Sequence, residues 1–180
     1  MADGLRIRLA TDADMETLAG LMARAIGQLQ SAWLDPAQVE ASREVMGLDT
    51  QLIEDGTYYV VEDAHGAVAG CGGWSRRTTL FGSDHTAGRD EALLDPAVDA
   101  ARIRAMYTDP AFVRRGVGRL VIETCERAAV AEGFRRCELA ATLAGEPLYR
   151  ACGYELLEPF ERQGSNGAVV PLKRMGKAIA

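Results

Sequence analysis

The sequence has 180 residues, 48% of them hydrophobic and 26% charged, which suits one globular domain of the usual ~100–200 residues and leaves no room for a second full one. Acidic residues outnumber basic ones 26 to 20, for a formal net charge of −6, so no overall positive field exists to gather nucleic acid or an anionic membrane. No stretch approaches the ~20 apolar residues that a bilayer span needs.

Along the chain, Leu5 to Ala10 alternates apolar Leu5, Ile7 and Leu9 with Arg6 and Arg8, which predicts a half-buried strand. Thr11-Asp12-Ala13-Asp14 can cap a helix, and Met15, Leu18, Met22, Ala25, Ile26 and Leu29 recur at the spacing of one buried helical face. Asp35-Pro36 opens a second helix that runs towards Gly47. Thr57 to Glu62 and Ala67 to Trp74 flank the turn Asp63-Ala64-His65-Gly66, a hairpin pattern. From Thr79 to Ala100 periodicity is lost, and so long an irregular segment in a small domain is usually functional or mobile. A strand over Ala101 to Thr108 is broken by Asp109-Pro110. A helix follows from Gly116 to Glu132, stopped by Gly133, then a strand over Phe134 to Thr142. A short helix from Glu146 to Cys152 and a last strand from Val169 to Met175, after the turn Gly164-Ser165-Asn166-Gly167, complete the series.

The order strand, helix, strand from Ala101 to Thr142 forces a parallel pair joined by a right-handed crossover. A mixed α/β sheet flanked by helices is therefore expected. The cysteines Cys71, Cys125, Cys137 and Cys152 form no C-x-x-C pair and stand apart from His65 and His85. They suggest neither a metal site nor a redox dithiol, and suit a reducing cytoplasm. The opening Met1-Ala2-Asp3-Gly4 shows no basic region leading into an apolar run, so no secretory leader is expected.

The chemistry is concentrated in Arg114-Arg115-Gly116-Val117-Gly118-Arg119, between a strand and the helix it starts. Unpaired amides and the positive helix end converge there, and the glycines let the backbone approach a pyrophosphate closely. The guanidinium groups of Arg114, Arg115 and Arg119 can add charge-assisted contacts. The plainer alternative is a tight turn beneath solvated arginines. A dinucleotide fingerprint would want glycine where Val121 stands, and a P-loop would want Lys and Ser or Thr where Arg119 and Leu120 stand.

With Met106-Tyr107-Thr108-Asp109-Pro110 before this loop and Leu148-Tyr149-Arg150-Ala151-Cys152-Gly153-Tyr154 after it, the chain resembles the GNAT superfamily of acyl-CoA-dependent N-acetyltransferases. The resemblance covers nearly the whole chain and implies a single N-acetyltransferase domain over residues 1–180. Its fold would be a twisted, mostly antiparallel mixed sheet of about six or seven strands, with a parallel β-α-β unit splayed to bind CoA. It further implies that the backbone of Met106, Tyr107 and Thr108 pairs with the pantetheine arm. The run Arg114, Arg115, Gly116, Val117, Gly118 and Arg119 would hold the pyrophosphate, and Tyr149 would be the general acid near the thioester sulfur. The implied cosubstrate is acetyl-CoA with no metal, the acceptor a primary amine of a small molecule or protein, the location cytoplasmic, and the assembly a possible homodimer.

The departures from the family pattern matter as well. A glutamate that many relatives carry on the strand before the glycine loop is replaced by Arg102 and Arg104, a frequent asparagine is missing from Ala141-Thr142-Leu143-Ala144, and Val113 opens the loop in place of Arg or Gln. Glu138 is the nearest acidic candidate for a base, although strand parity could turn it to solvent beside Arg136. Asp84, His85 and Glu91 are further options. Should Arg76, Arg77, Arg102 or Arg104 face the acceptor, a carboxylate-bearing amine would be favoured. The missing glutamate also leaves a second class open, a CoA-binding sensor without turnover.

Overall fold

The computed structural model describes residues 4–180; the opening Met1–Asp3, on which the expectation of no leader rests, lies outside them. Seven strands form one sheet in the order β1-β2-β3-β4-β5-β7-β6. They are β1 (Arg6–Leu9), β2 (Tyr58–Glu62), β3 (Val68–Ser75), β4 (Ala101–Thr108), β5 (Arg136–Ala141), β6 (Glu155–Gln163) and β7 (Val169–Ala178). Every neighbouring pair is antiparallel except β4 and β5. Helices α1 (Met15–Leu29), α2 (Pro36–Ser42), α3 (Thr50–Glu54), α4 (Val117–Ala131) and α5 (Glu146–Ala151) complete the chain.

The alternation of each strand sorts side chains into two cores. Tyr58 and Val60 of β2 join Leu18, Leu21 and Met22 of α1 on one face, while Val61 joins Val121 and Ile122 of α4 on the other. Helix α4 can lie close against β3 because Gly70 and Gly72 present no side chain. A Cβ on either would collide with Val117 or with Val121 and Met106. Trp74 packs edge-on to Phe134, with ring centroids 5.9 Å apart, and anchors the α4 side of the sheet.

Three expectations need correction. The second helix stops at Ser42, well short of Gly47. The Ser42 hydroxyl donates back to the Val39 carbonyl, and the Gly47 amide is drawn away to the Tyr107 hydroxyl at 2.8 Å. Helix α3 has no counterpart in the sequence pattern, because its five residues bury only Leu52 and so carry no readable period. Strand β6 was also unpredicted. Every residue from Glu155 to Gln163 is exposed except the half-buried Phe160, and Pro159 and several charges interrupt it, as is common for an edge strand.

The segment from Thr79 to Ala100 is irregular but tied down. Arg77 and Leu93 form an antiparallel bridge, and the Arg104 guanidinium donates to the carbonyls of Thr79 and Gly82 at 3.1 and 2.8 Å. Among the described residues, no helix is long and apolar enough to cross a membrane.

Candidate active site

The parallel pair decides where a ligand can enter. Strands β4 and β5 pair only at Ala101 with Cys137 and Arg102 with Glu138. Beyond that point the strands separate, and the β5-facing edge of β4 from Ile103 to Thr108 has no neighbouring strand. Where β3 pairs with β4 the register shifts between Cys71 and Gly73, and Ala105 takes the left-handed conformation with φ +50°. Such a bulge bends its strand and increases the local twist, which accounts for the parting. Tyr58 secures the bulge, its hydroxyl donating to the Ala105 carbonyl at 2.7 Å. An open strand edge is a place where an extended ligand can add its own polar groups.

After β4 the chain turns over a short 3-10 turn, Pro110–Phe112, capped by Asp109, whose carboxylate accepts from the Ala111 amide at 2.9 Å and from Arg24 at 2.7 Å. Arg114 and Gly116 then both adopt positive φ, +64° and +85°. The conformation costs glycine nothing but costs the arginine about 1–2 kcal/mol. Gly116 forms the left-handed cap of α4. Among the described residues, no acceptor is found for the amide hydrogens of Gly116, Val117, Gly118 and Arg119. These donors and the positive end of a helix of 15 residues form a cradle suited to a phosphate.

The open edge and the cradle both face a cleft of about 800 Å³. Met106, Tyr107 and Thr108, Arg114, Gly116, Val117, Gly118 and Arg119, and Tyr149 all line it, so sites far apart in sequence converge. Arg115 does not line it; its guanidinium lies 5.0 Å from the Phe112 ring centroid. Tyr107 contributes its backbone, since its side chain is buried and its hydroxyl accepts from Gly47. Tyr149 is 8% exposed, and burial pushes its phenol well above the ordinary value, so it keeps its proton at neutral pH. Its ring packs edge-on against Tyr154 at 6.2 Å, and its helix is fastened to β7 by the Glu146–Lys173 pair at 2.6 Å.

The family model for the acetyltransferase (GNAT) family matches residues 24–154. The chain belongs to the acetyltransferase (GNAT) family. Acetyl transfer is the general chemistry of that family. No curated protein matches the chain. Among solved structures, a GCN5-related N-acetyltransferase from Rhodopseudomonas palustris superposes with a TM-score of 0.71 at 19% identity, over 97% of this chain and 95% of that one. A phosphinothricin acetyltransferase from Sinorhizobium meliloti, in complex with AcCoA, gives 0.62 at 19% identity, over 98% and 89%. The PaiA N-acetyltransferase from Thermoplasma acidophilum, in complex with coenzyme A, gives 0.63 at 12% identity, over 97% and 98%. At these identities the likeness is one of GNAT fold.

Within this GNAT fold, the candidate bases are engaged elsewhere. Glu138 pairs with Arg102 at 3.0 Å and with Arg174 at 3.8 Å. Asp84 accepts from the Thr50 amide, His85 bonds the Arg43 carbonyl, and Glu91 stands beside Arg89. None of these lines the cleft. Burial raises the Cys152 thiol, which leaves it a poor nucleophile.

The arginines considered for an anionic acceptor are also occupied. Arg76 pairs with Glu132, Arg77 with Asp55, Arg102 with Glu138 and Arg104 with Asp49, at 2.6 to 3.0 Å. Their support for a carboxylate-bearing substrate is therefore withdrawn. Gly118 also lets α4 pack against the helix that carries Tyr149, because a Cβ there would meet the Leu148 side chain.

Sequence reasoning missed a further part of the cleft lining, which includes Ile26, Leu29, Gln30, Trp33, Met46 and Phe81. Only Phe81, inside the aperiodic segment, lay where a functional loop was suspected. Among the described residues, the cleft lining contains no Asp, Glu or His.

Proposed function

We propose that this chain is an N-acetyltransferase, a single domain that carries the acetyl group of acetyl-CoA to a primary amine by direct attack with both reactants bound. The observation that carries the reading is the set of acceptor-free amides at Gly116 to Arg119 opening onto the same cleft as the unpaired edge of β4 and Tyr149. Those amides, with Arg114 and Arg119, would hold the diphosphate, and the backbone of Met106 to Thr108 would hold the pantetheine arm. Arg115 would act at longer range from its seat on Phe112.

The neutral amine bonds to the thioester carbonyl carbon as the carbon–sulfur bond breaks. A β4 amide can steady the negative oxygen, and the departing sulfur takes a proton from the Tyr149 hydroxyl. A thiol titrates near ~8.5 and an ordinary phenol near ~10, so proton donation from Tyr149 is uphill. The proton lost by the new ammonium as it becomes an amide restores the phenol and offsets that cost. Positioning the two reactants accordingly supplies most of the acceleration. The four free, buried cysteines support a reducing cytoplasmic setting.

One observation favours a second reading, a CoA sensor without turnover: the lining offers no carboxylate or histidine to deprotonate the amine. Incubation with acetyl-CoA and a mixed amine panel, following free thiol and acetylated product by mass spectrometry, separates the two. Amine-dependent thiol release is expected. Saturable CoA binding with no product would establish the sensor.

A further inference from the structure

We propose that the acceptor half of the cleft takes an apolar amine, held by a hydrogen bond from its N–H to the side-chain oxygen of Gln30. The inference rests on the acetyltransferase reading and names its substrate class. Ile26 and Leu29 of α1, Trp33 just beyond it, Met46 before α3, and Leu80 and Phe81 of the long loop line this part of the cleft. Phe81 is braced by Phe160, with centroids 5.7 Å apart, and by the Arg162 guanidinium 4.7 Å from its ring centroid. Trp33 is 53% exposed, a large apolar ring open to solvent at the cleft.

Within that apolar wall Gln30 is 4% exposed, and its Oε1 has no hydrogen-bond donor. Its Nε2 reaches only the Met46 sulfur, at 3.7 Å, a weak bond that leaves the carboxamide able to turn its buried oxygen towards a ligand in the cleft. A buried acceptor left unpaired costs about 1–3 kcal/mol, which a ligand N–H would recover. It also lets a site reject an analogue that lacks the donor.

Charged acceptors find nothing comparable. With no carboxylate in the lining, the second ammonium of a polyamine would be desolvated without a partner. A substrate carboxylate fares no better, because Arg104, the arginine on this side, already serves Asp49 and the carbonyls of Thr79 and Gly82. Arg114 and Arg119 stand at the phosphate cradle. The amine must therefore arrive as its free base, and the rate should rise with pH along the amine's own titration.

The test compares phenethylamine, spermidine and glutamate with saturating acetyl-CoA, reading kcat/KM by thiol release and binding by tryptophan fluorescence. Phenethylamine should exceed both others by at least ~10-fold. Gln30→Leu should raise its KM ~10-fold while CoA affinity stays unchanged and Tm does not fall, and Gln30→Glu should shift preference towards spermidine. Faster turnover of spermidine or glutamate, or an unchanged KM in Gln30→Leu, overturns the proposal. If CoA binds but phenethylamine neither reacts nor changes the fluorescence, the substrate class is wrong and the cofactor reading stands. If CoA itself fails to bind, the acetyltransferase reading falls and takes this inference with it.

Discussion

The two ends of the cleft are built in different ways. The end proposed for the diphosphate is one short run of chain, with backbone donors set by Gly116 and by the start of α4. The end proposed for the amine is assembled from side chains on α1, the turn after it, the stretch before α3 and the loop around Phe81. A backbone cradle needs little from side-chain identity, whereas an assembled wall depends on each buried contact that holds its pieces together.

The sharpest effect should come from Tyr149, the proposed general acid, which lines the same cleft. Tyr149→Phe should lower kcat by ~10²–10⁴-fold with CoA affinity unchanged, as read by steady-state kinetics beside calorimetry. Unchanged turnover would remove the residue from the proton path.

The next effect concerns the scaffold of the acceptor wall. Asp49 is fully buried and holds both Arg104 and Arg89, at 2.8 and 3.0 Å. Asp49→Ala would strand buried Arg104 and cost about 3–5 kcal/mol of stability. Chemical denaturation should show that loss, with the amine KM disturbed more than the CoA affinity at temperatures where the variant is folded. Equal losses at both ends would break the proposed separation.

A smaller effect is expected from the exposed charges at the cradle. Arg114→Ala should weaken CoA by only about 3–10-fold, roughly 0.7–1.4 kcal/mol, if main-chain donors dominate. A loss beyond ~100-fold would move the diphosphate site from the backbone to the guanidinium groups. Weakest of all should be a change remote from both ends. A side-chain hydrogen bond from Arg8 holds the Asp14 carboxyl down from 3.8 to about 2 in the folded chain. That contribution is complete above 3.8 and disappears as pH falls towards 2. With Arg8 partly exposed, Asp14→Asn should lower Tm at pH 7 by no more than roughly 2–4 °C and flatten its fall between pH 4 and 2, leaving both ligands' affinities alone.

The legibility of the sequence follows the same division. The strand ending at Thr108, the Asp109-Pro110 break, the glycines before α4 and the block around Tyr149 are local signals, since turn chemistry and helix starts are written in neighbouring residues. They carried the fold and the candidate cofactor residues. Strand β6 and helix α3 were hidden because the former lies exposed at a sheet edge and the latter spans barely one turn. Gln30 and Trp33 were hidden because each is an ordinary residue beyond the end of α1, and only tertiary packing brings them to the cleft that Tyr149 also lines. The arginines of β4 misled for a related reason. Their partners, Asp49 and Glu138, are 55 and 36 residues away along the chain.

The central claim is that the peptide amides at the start of α4 grip the diphosphate of coenzyme A. The most direct test is an amide NMR titration of the folded protein with CoA. The account predicts that the largest saturable shifts fall on Gly116, Val117, Gly118 and Arg119, and that pantetheine, which lacks the diphosphate, leaves them in place. Saturation with CoA that moves none of these four amides, or equal shifts with pantetheine, would contradict it.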